Sequence, residues 1–105
     1  MSDRIALLES MLTEDPNDTF VLYAIAKEYE QVDHHKALKA YLDLKNVDPQ
    51  YVGLYYHLGK LYEELEDAEN ARSTYEEGIK VAKKLADFHS LSELNNALTN
   101  VNLSL

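Results

Sequence analysis

The chain has 105 residues, 46% of them hydrophobic and 28% charged. That balance fits one folded domain and excludes a disordered or membrane-embedded chain. Nineteen acidic against ten basic residues leave a net charge of −9, a field that repels phosphate backbones, and the lack of cysteine excludes disulfides, thiolate metal sites and a cysteine nucleophile.

The N-terminus, MSDRIALLESML, mixes charged with apolar residues and does not read as a signal peptide. No segment approaches the ~18 apolar residues of a membrane span, so the expected location is cytoplasmic, away from membrane and nucleic acid. Three glycines and two prolines leave little material for the turns of an all-β fold. Apolar residues recur instead at helical spacing.

Ile5, Leu8 and Leu12 make a first stripe, which ends at EDPND. Leu22, Ile25, Ala26 and Tyr29 make a second, expected from about Asp18 to Val32, with Asn17 or Asp18 as its N-cap. Ala37, Leu38, Tyr41, Leu44 and Val47 make a third, stopping at VDPQ. Tyr55, Leu58, Gly59 and Tyr62 make a fourth, ending near Leu65. Ala71, Tyr75, Gly78, Ile79 and Ala82 make a fifth. Leu91, Leu94, Leu98 and Val101 make a sixth, which either a capping box from Ser90 to Glu93 or Asp87 one turn earlier could begin. Both prolines sit where helices should end.

The chain also repeats itself. A shift of 33 residues lays LYAIAKEYE over YYHLGKLYE, matching Tyr23, Lys27, Tyr29 and Glu30 to Tyr56, Lys60, Tyr62 and Glu63. With one further residue of offset, Ala37, Tyr41 and Val47 meet Ala71, Tyr75 and Val81. This is a tandem helix-turn-helix repeat.

On these residues the sequence resembles the tetratricopeptide repeat family. In the second unit the pattern is Tyr55, Leu58-Gly59, Tyr62, Ala71, Tyr75 and Gly78. In the first it is Leu22, Ile25-Ala26, Tyr29, Ala37, Tyr41 and Asp48-Pro49. RIALLESMLTEDP looks like the second helix of a preceding repeat, and DFHSLSELNNALTNV is similar to a terminal capping helix. The resemblance implies an all-α, right-handed α-solenoid of antiparallel helix hairpins with about six helices. A single domain over residues 1–105 would hold a half-repeat helix at 3–14, repeats at 18–49 and 50–84, and a capping helix at 87–102.

Glycine in a helix interior costs about 1 kcal/mol against alanine. Gly59 and Gly78, with Ala26, Ala37 and Ala71, are therefore read as points where helices approach too closely for larger side chains.

Residues for chemistry are scarce. His34 and His35 adjoin in what reads as an inter-helix turn, and no histidine pair has metal-ligand spacing. Glu63, Glu64, Glu66, Asp67 and Glu69 form a run across a turn, which reads as solvated surface. There is no phosphate-binding glycine loop and no serine triad. Neither catalysis nor a cofactor or metal is expected.

The family resemblance implies a concave groove that holds a peptide of a partner protein. Its lining would be Phe20, Tyr23, Lys27 and Glu30 in the first repeat, and Gly53, Tyr56, His57, Lys60 and Glu63 in the second. Tyrosine with lysine one turn later, at 23/27 and 56/60, offers an apolar platform beside a cation, suited to a peptide bearing carboxylates. The bland alternative has Tyr23 and Tyr56 packing on each other. A second functional reading is a self-associating scaffold, a homodimer whose groove or terminal helix is filled by another copy.

Overall fold

The apolar periodicity becomes six α-helices in a computed structural model that describes residues 3–105: α1 (Asp3–Glu14), α2 (Thr19–Tyr29), α3 (His34–Val47), α4 (Gly53–Glu64), α5 (Ala68–Lys84) and α6 (Phe88–Asn102). Among the described residues there is no β-strand. The fold is all-α, built of helical hairpins.

Aspartate starts four of these helices by accepting the N–H groups that a first turn leaves unpaired. Asp18 accepts from Val21, Asp33 from His35 and Lys36, Asp67 from Asn70, and Asp87 from Ser90. α6 therefore begins at Asp87, and the Ser90–Glu93 box does not form. The Ser90 hydroxyl instead donates to Asp87 at 2.9 Å, alongside the Ser90 N–H at 3.0 Å. The Asp33 cap likewise places His34 and His35 in the first turn of α3 rather than in a loop. It also ends α2 at Tyr29, short of the expected Val32, which lies exposed in the turn.

α4 and α5 end alike, without glycine. Glu66 and Ala86 take the left-handed conformation, with φ of 60° and 54°. Glu66 N–H donates to the Glu63 carbonyl and Asp67 N–H to that of Tyr62; Ala86 and Asp87 do the same to Lys83 and Ala82. These are Schellman closures. In both, the next residue is the aspartate that caps the following helix, so the reversal takes only three residues.

The chain divides into two compact units between Tyr51 and Val52. In the first, α2 packs against both α1 and α3. Its core joins Ile5 and Leu8, Val21, Leu22, Ile25, Ala26 and Tyr29, and Ala37, Ala40, Tyr41 and Leu44. Val47, expected on the apolar stripe of α3, is the last residue of that helix and is 39% exposed.

In the second unit, α5 packs against both α4 and α6, and α4 also touches α6. Its core holds Leu54, Tyr55, Leu58 and Leu61, Ala71, Thr74, Tyr75 and Ala82, and Leu94, Ala97 and Val101. Burying each such large apolar side chain is worth about 1.5–3 kcal/mol.

Both helix-interior glycines are buried in that core. A Cβ on Gly59 would run into the Tyr75 ring, with Cδ1 and Cζ each 2.6 Å away. On Gly78 it would lie 2.5 Å from Tyr55 Cβ and 3.1 Å from Leu94 Cδ1. Each glycine faces the tyrosine of the partner helix: Gly59 on α4 meets Tyr75 on α5, and Gly78 on α5 meets Tyr55 on α4. The pair of glycines lets one hairpin hold two buried aromatic rings.

Candidate peptide-binding surfaces

In the first unit, α2 carries three of the predicted residues, and the fourth, Glu30, is its C-cap. Phe20 sits in its first turn and is 69% exposed. Tyr23 is half-buried, its ring 5.1 Å from that of Tyr51 and 6.5 Å from that of Tyr41. Lys27, one turn on, places Nζ 5.4 Å from the centre of the Tyr23 ring. That is cation–π distance, and the i, i+4 spacing on a helix brings the two together.

In the second unit, α4 repeats the arrangement. Lys60 Nζ lies 5.5 Å from the Tyr56 ring centre, and the His57 ring stands edge-on to Tyr56 at 5.7 Å. Gly53 opens the helix. A shallow cleft of about 160 Å³ adjoins this pair, lined by Tyr56 and Lys60 from α4 and by Glu93, Asn96, Ala97 and Asn100 from α6. Sequence reasoning missed the α6 side. Asn96 and Asn100 were legible as an i, i+4 pair beside the apolar stripe, but only packing shows which helix they face.

Glu30 and Glu63 have a different setting from the lysines. Glu30 accepts the Tyr41 hydroxyl and Glu63 the Tyr75 hydroxyl, tying the end of the first helix to the middle of the second within each hairpin. Burial, then the neighbouring carboxylate, pushes both tyrosine hydroxyls well above their ordinary value, so they remain protonated donors. Tyr29 donates to Glu9 of α1 at 2.6 Å and is pushed up to about 12 by the same causes. The Tyr41–Glu30 and Tyr75–Glu63 pairs recur between the two hairpins, which the repeat alignment could have signalled. Lys60 Nζ also approaches Glu63 at 4.0 Å, so the cation in the second unit is partly balanced.

A larger open cleft of about 480 Å³ in the first unit is lined by Glu9, Leu22, Ile25, Tyr29, Lys36 and Asp43 among others, and includes neither Tyr23 nor Lys27. Among the described residues no group of three or more His, Asp or Glu could hold a metal ion. Among the described residues no helix is long and apolar enough to cross a membrane.

The model of the tetratricopeptide repeat matches residues 52–85, the segment that holds Gly59, Tyr75 and Gly78. A crystal structure of a tetratricopeptide repeat domain protein from Salinibacter ruber is 42% identical, with 81% of this chain and 97% of that one covered and a TM-score of 0.77. The chain belongs to the tetratricopeptide repeat family. Two more distant structures share the fold of this tetratricopeptide repeat chain. PcrH in complex with the chaperone binding region of PopD is 15% identical, covers 97% of this chain and 78% of its own, and gives a TM-score of 0.91. The TPR2B domain of yeast Sti1, in a complex with pHsp70, is 13% identical, covers 96% and 82%, and gives 0.89. Among curated proteins none matches.

Proposed function

We propose that this tetratricopeptide repeat chain is a non-catalytic interaction module that binds a peptide segment of a partner protein. The observation that carries the reading is the twice-repeated tyrosine–lysine platform, at 5.4 Å for Tyr23/Lys27 and 5.5 Å for Tyr56/Lys60. Neither lysine is part of the core, and a repeated apolar face beside a cation is suited to a side chain and carboxylate of an extended peptide. The complexes of PcrH with a region of PopD and of the Sti1 domain with pHsp70 support a peptide or protein ligand for this fold. Phe20 and His57 would add apolar contact, and Glu30 and Glu63 would position rather than bind, since each already accepts a tyrosine hydroxyl.

In the second unit, Asn96 and Asn100 add amide donors beside Lys60. A carboxylate there would have one cation and two neutral donors, against the nearby Glu63 and Glu93. The reading therefore favours a peptide with few, spaced carboxylates over a polyacidic one.

The test is fluorescence anisotropy with labelled peptides that differ in the number and spacing of Asp and Glu. Binding should weaken as salt rises, and the variant Lys27→Ala, Lys60→Ala should lose roughly tenfold or more in affinity while keeping its helicity. If the lysine variant binds every peptide as tightly as the parent chain, the platforms are not the site.

A further inference from the structure

The tandem repeat supplies an internal standard for what each face of a helix normally covers. α1 and α3 occupy the same place in their repeats and end alike, at Asp15-Pro16 and Asp48-Pro49. In that register Leu7 and Met11 of α1 stand where Ala40 and Leu44 stand in α3. Ala40 and Leu44 are buried in the core of the first unit, at 7% and 0% exposure. Leu7 and Met11 are 62% and 41% exposed. α1 uses Ile5 and Leu8 for its own packing on α2, so its second apolar face stays at the surface.

That face has a particular charge order. Arg4, Leu7, Met11 and Glu14 follow at i, i+3, i+7 and i+10, which keeps them on one side of the helix. A cation stands at one end, an anion at the other, and two large apolar residues between. Laid antiparallel on a copy of itself, the stripe is self-complementary: Leu7 meets Met11 of the other copy, and Arg4 meets Glu14. This is the condition for a closed two-fold interface. Arg4 already holds Glu28 of α2 through Nε at 2.6 Å, and its side chain is still 62% exposed.

The other end of the chain does not offer an equal partner. In α6, Leu94 takes the place of Leu58 and Asn95 the place of Gly59. Gly59 is where the second helix of the hairpin comes closest. An exposed asparagine there blocks the same approach to α6, so head-to-tail completion of a repeat by α1 is disfavoured.

We propose that the Arg4–Leu7–Met11–Glu14 face of α1 is an interaction surface for a second copy of this chain, paired antiparallel about a two-fold axis. About three helical turns per copy place the contact at the small end of specific interfaces, so the association is reversible. It does not involve the tyrosine–lysine platforms, so peptide binding and pairing can fail separately.

Sedimentation equilibrium from roughly 10 µM to roughly 1 mM is the test. The apparent mass should climb from the 12.0 kDa of one chain toward twice that value. Arg4→Glu alone and Glu14→Arg alone should each lower the association constant by roughly tenfold, since each sets like charges opposite. An equimolar mixture of those two variants should regain it as heterodimers, because both ion pairs then re-form across the axis. Leu7→Glu with Met11→Glu should abolish association, with circular dichroism reporting retained helix. Should that variant lose its fold, the two charge variants and their mixture decide alone. A wild-type mass that stays at one chain throughout overturns the proposal, and so does a mixture no stronger than either charge variant.

Discussion

At Gly59 the neighbouring ring has no room to move. Tyr75 is fully buried and its hydroxyl is bound to Glu63, so the ring is held at both ends and cannot swing away from an added methyl group. Gly59→Ala recovers about 1 kcal/mol of helix propensity but overpacks by about 1–3 kcal/mol or more. The net effect should be destabilising, a fall in melting temperature of roughly 5–10 °C. Gly59→Leu should unfold the second unit, seen as a loss of helical ellipticity. An alanine variant that melts with the parent would show that the ring has slack. The tyrosine hydroxyls set a second expectation. Their folded-state values lie above the ordinary 10.0, to about 12 for Tyr29, so the stability they add is complete below pH 10.0 and is lost as pH rises through the folded values. Titration should therefore show tyrosinate absorbance from these side chains only together with loss of helix. Smooth ionisation near pH 10.0 of all eight tyrosines with the fold intact would contradict the Tyr–Glu pairing.

Among the helices, the junctions hold the testable energy. Glu66 and Ala86 occupy left-handed positions that glycine adopts without penalty. Glu66→Gly and Ala86→Gly should each raise stability by about 0.5–1 kcal/mol, read as a melting temperature a few degrees higher. The opposite sign, the usual result of placing glycine near a helix, would mean that the Schellman closures do not form in solution. The aspartate caps predict the reverse. Asp33 accepts two N–H groups, and Asp33→Ala should cost about 1 kcal/mol. Asp87 is held below the ordinary carboxylate range, first by the Ser90 N–H and then by the Ser90 hydroxyl. Its contribution is present above the unfolded-state value and is lost as pH falls through the folded one. Acid should thus fray the start of α6, visible as earlier amide exchange there.

For the molecule as a whole, the net charge of −9 works against the compact state. Salt near 0.15 M shortens the screening length to about 8 Å and should raise the melting temperature by roughly a few degrees relative to low salt. A fall on adding salt would mean that ion pairs such as Arg4–Glu28 and Lys39–Asp43 outweigh the general repulsion. The sequence by itself determined the class of element, the hairpin repeat and the family, because these follow from local spacing: apolar residues at helical period, a 33-residue shift that re-aligns Tyr23, Lys27 and Glu30, and small residues at fixed places in each repeat. It also pointed to Gly59 and Gly78, since a glycine tolerated mid-helix implies a close neighbour. Only the tertiary structure decided which neighbour that is, that Glu30 and Glu63 accept tyrosine hydroxyls, that Asn96 and Asn100 flank Lys60, and that Leu7 and Met11 lie bare. Each of these depends on which side chains from distant parts of the chain meet, and a helical period carries that information only after another helix has been laid against it.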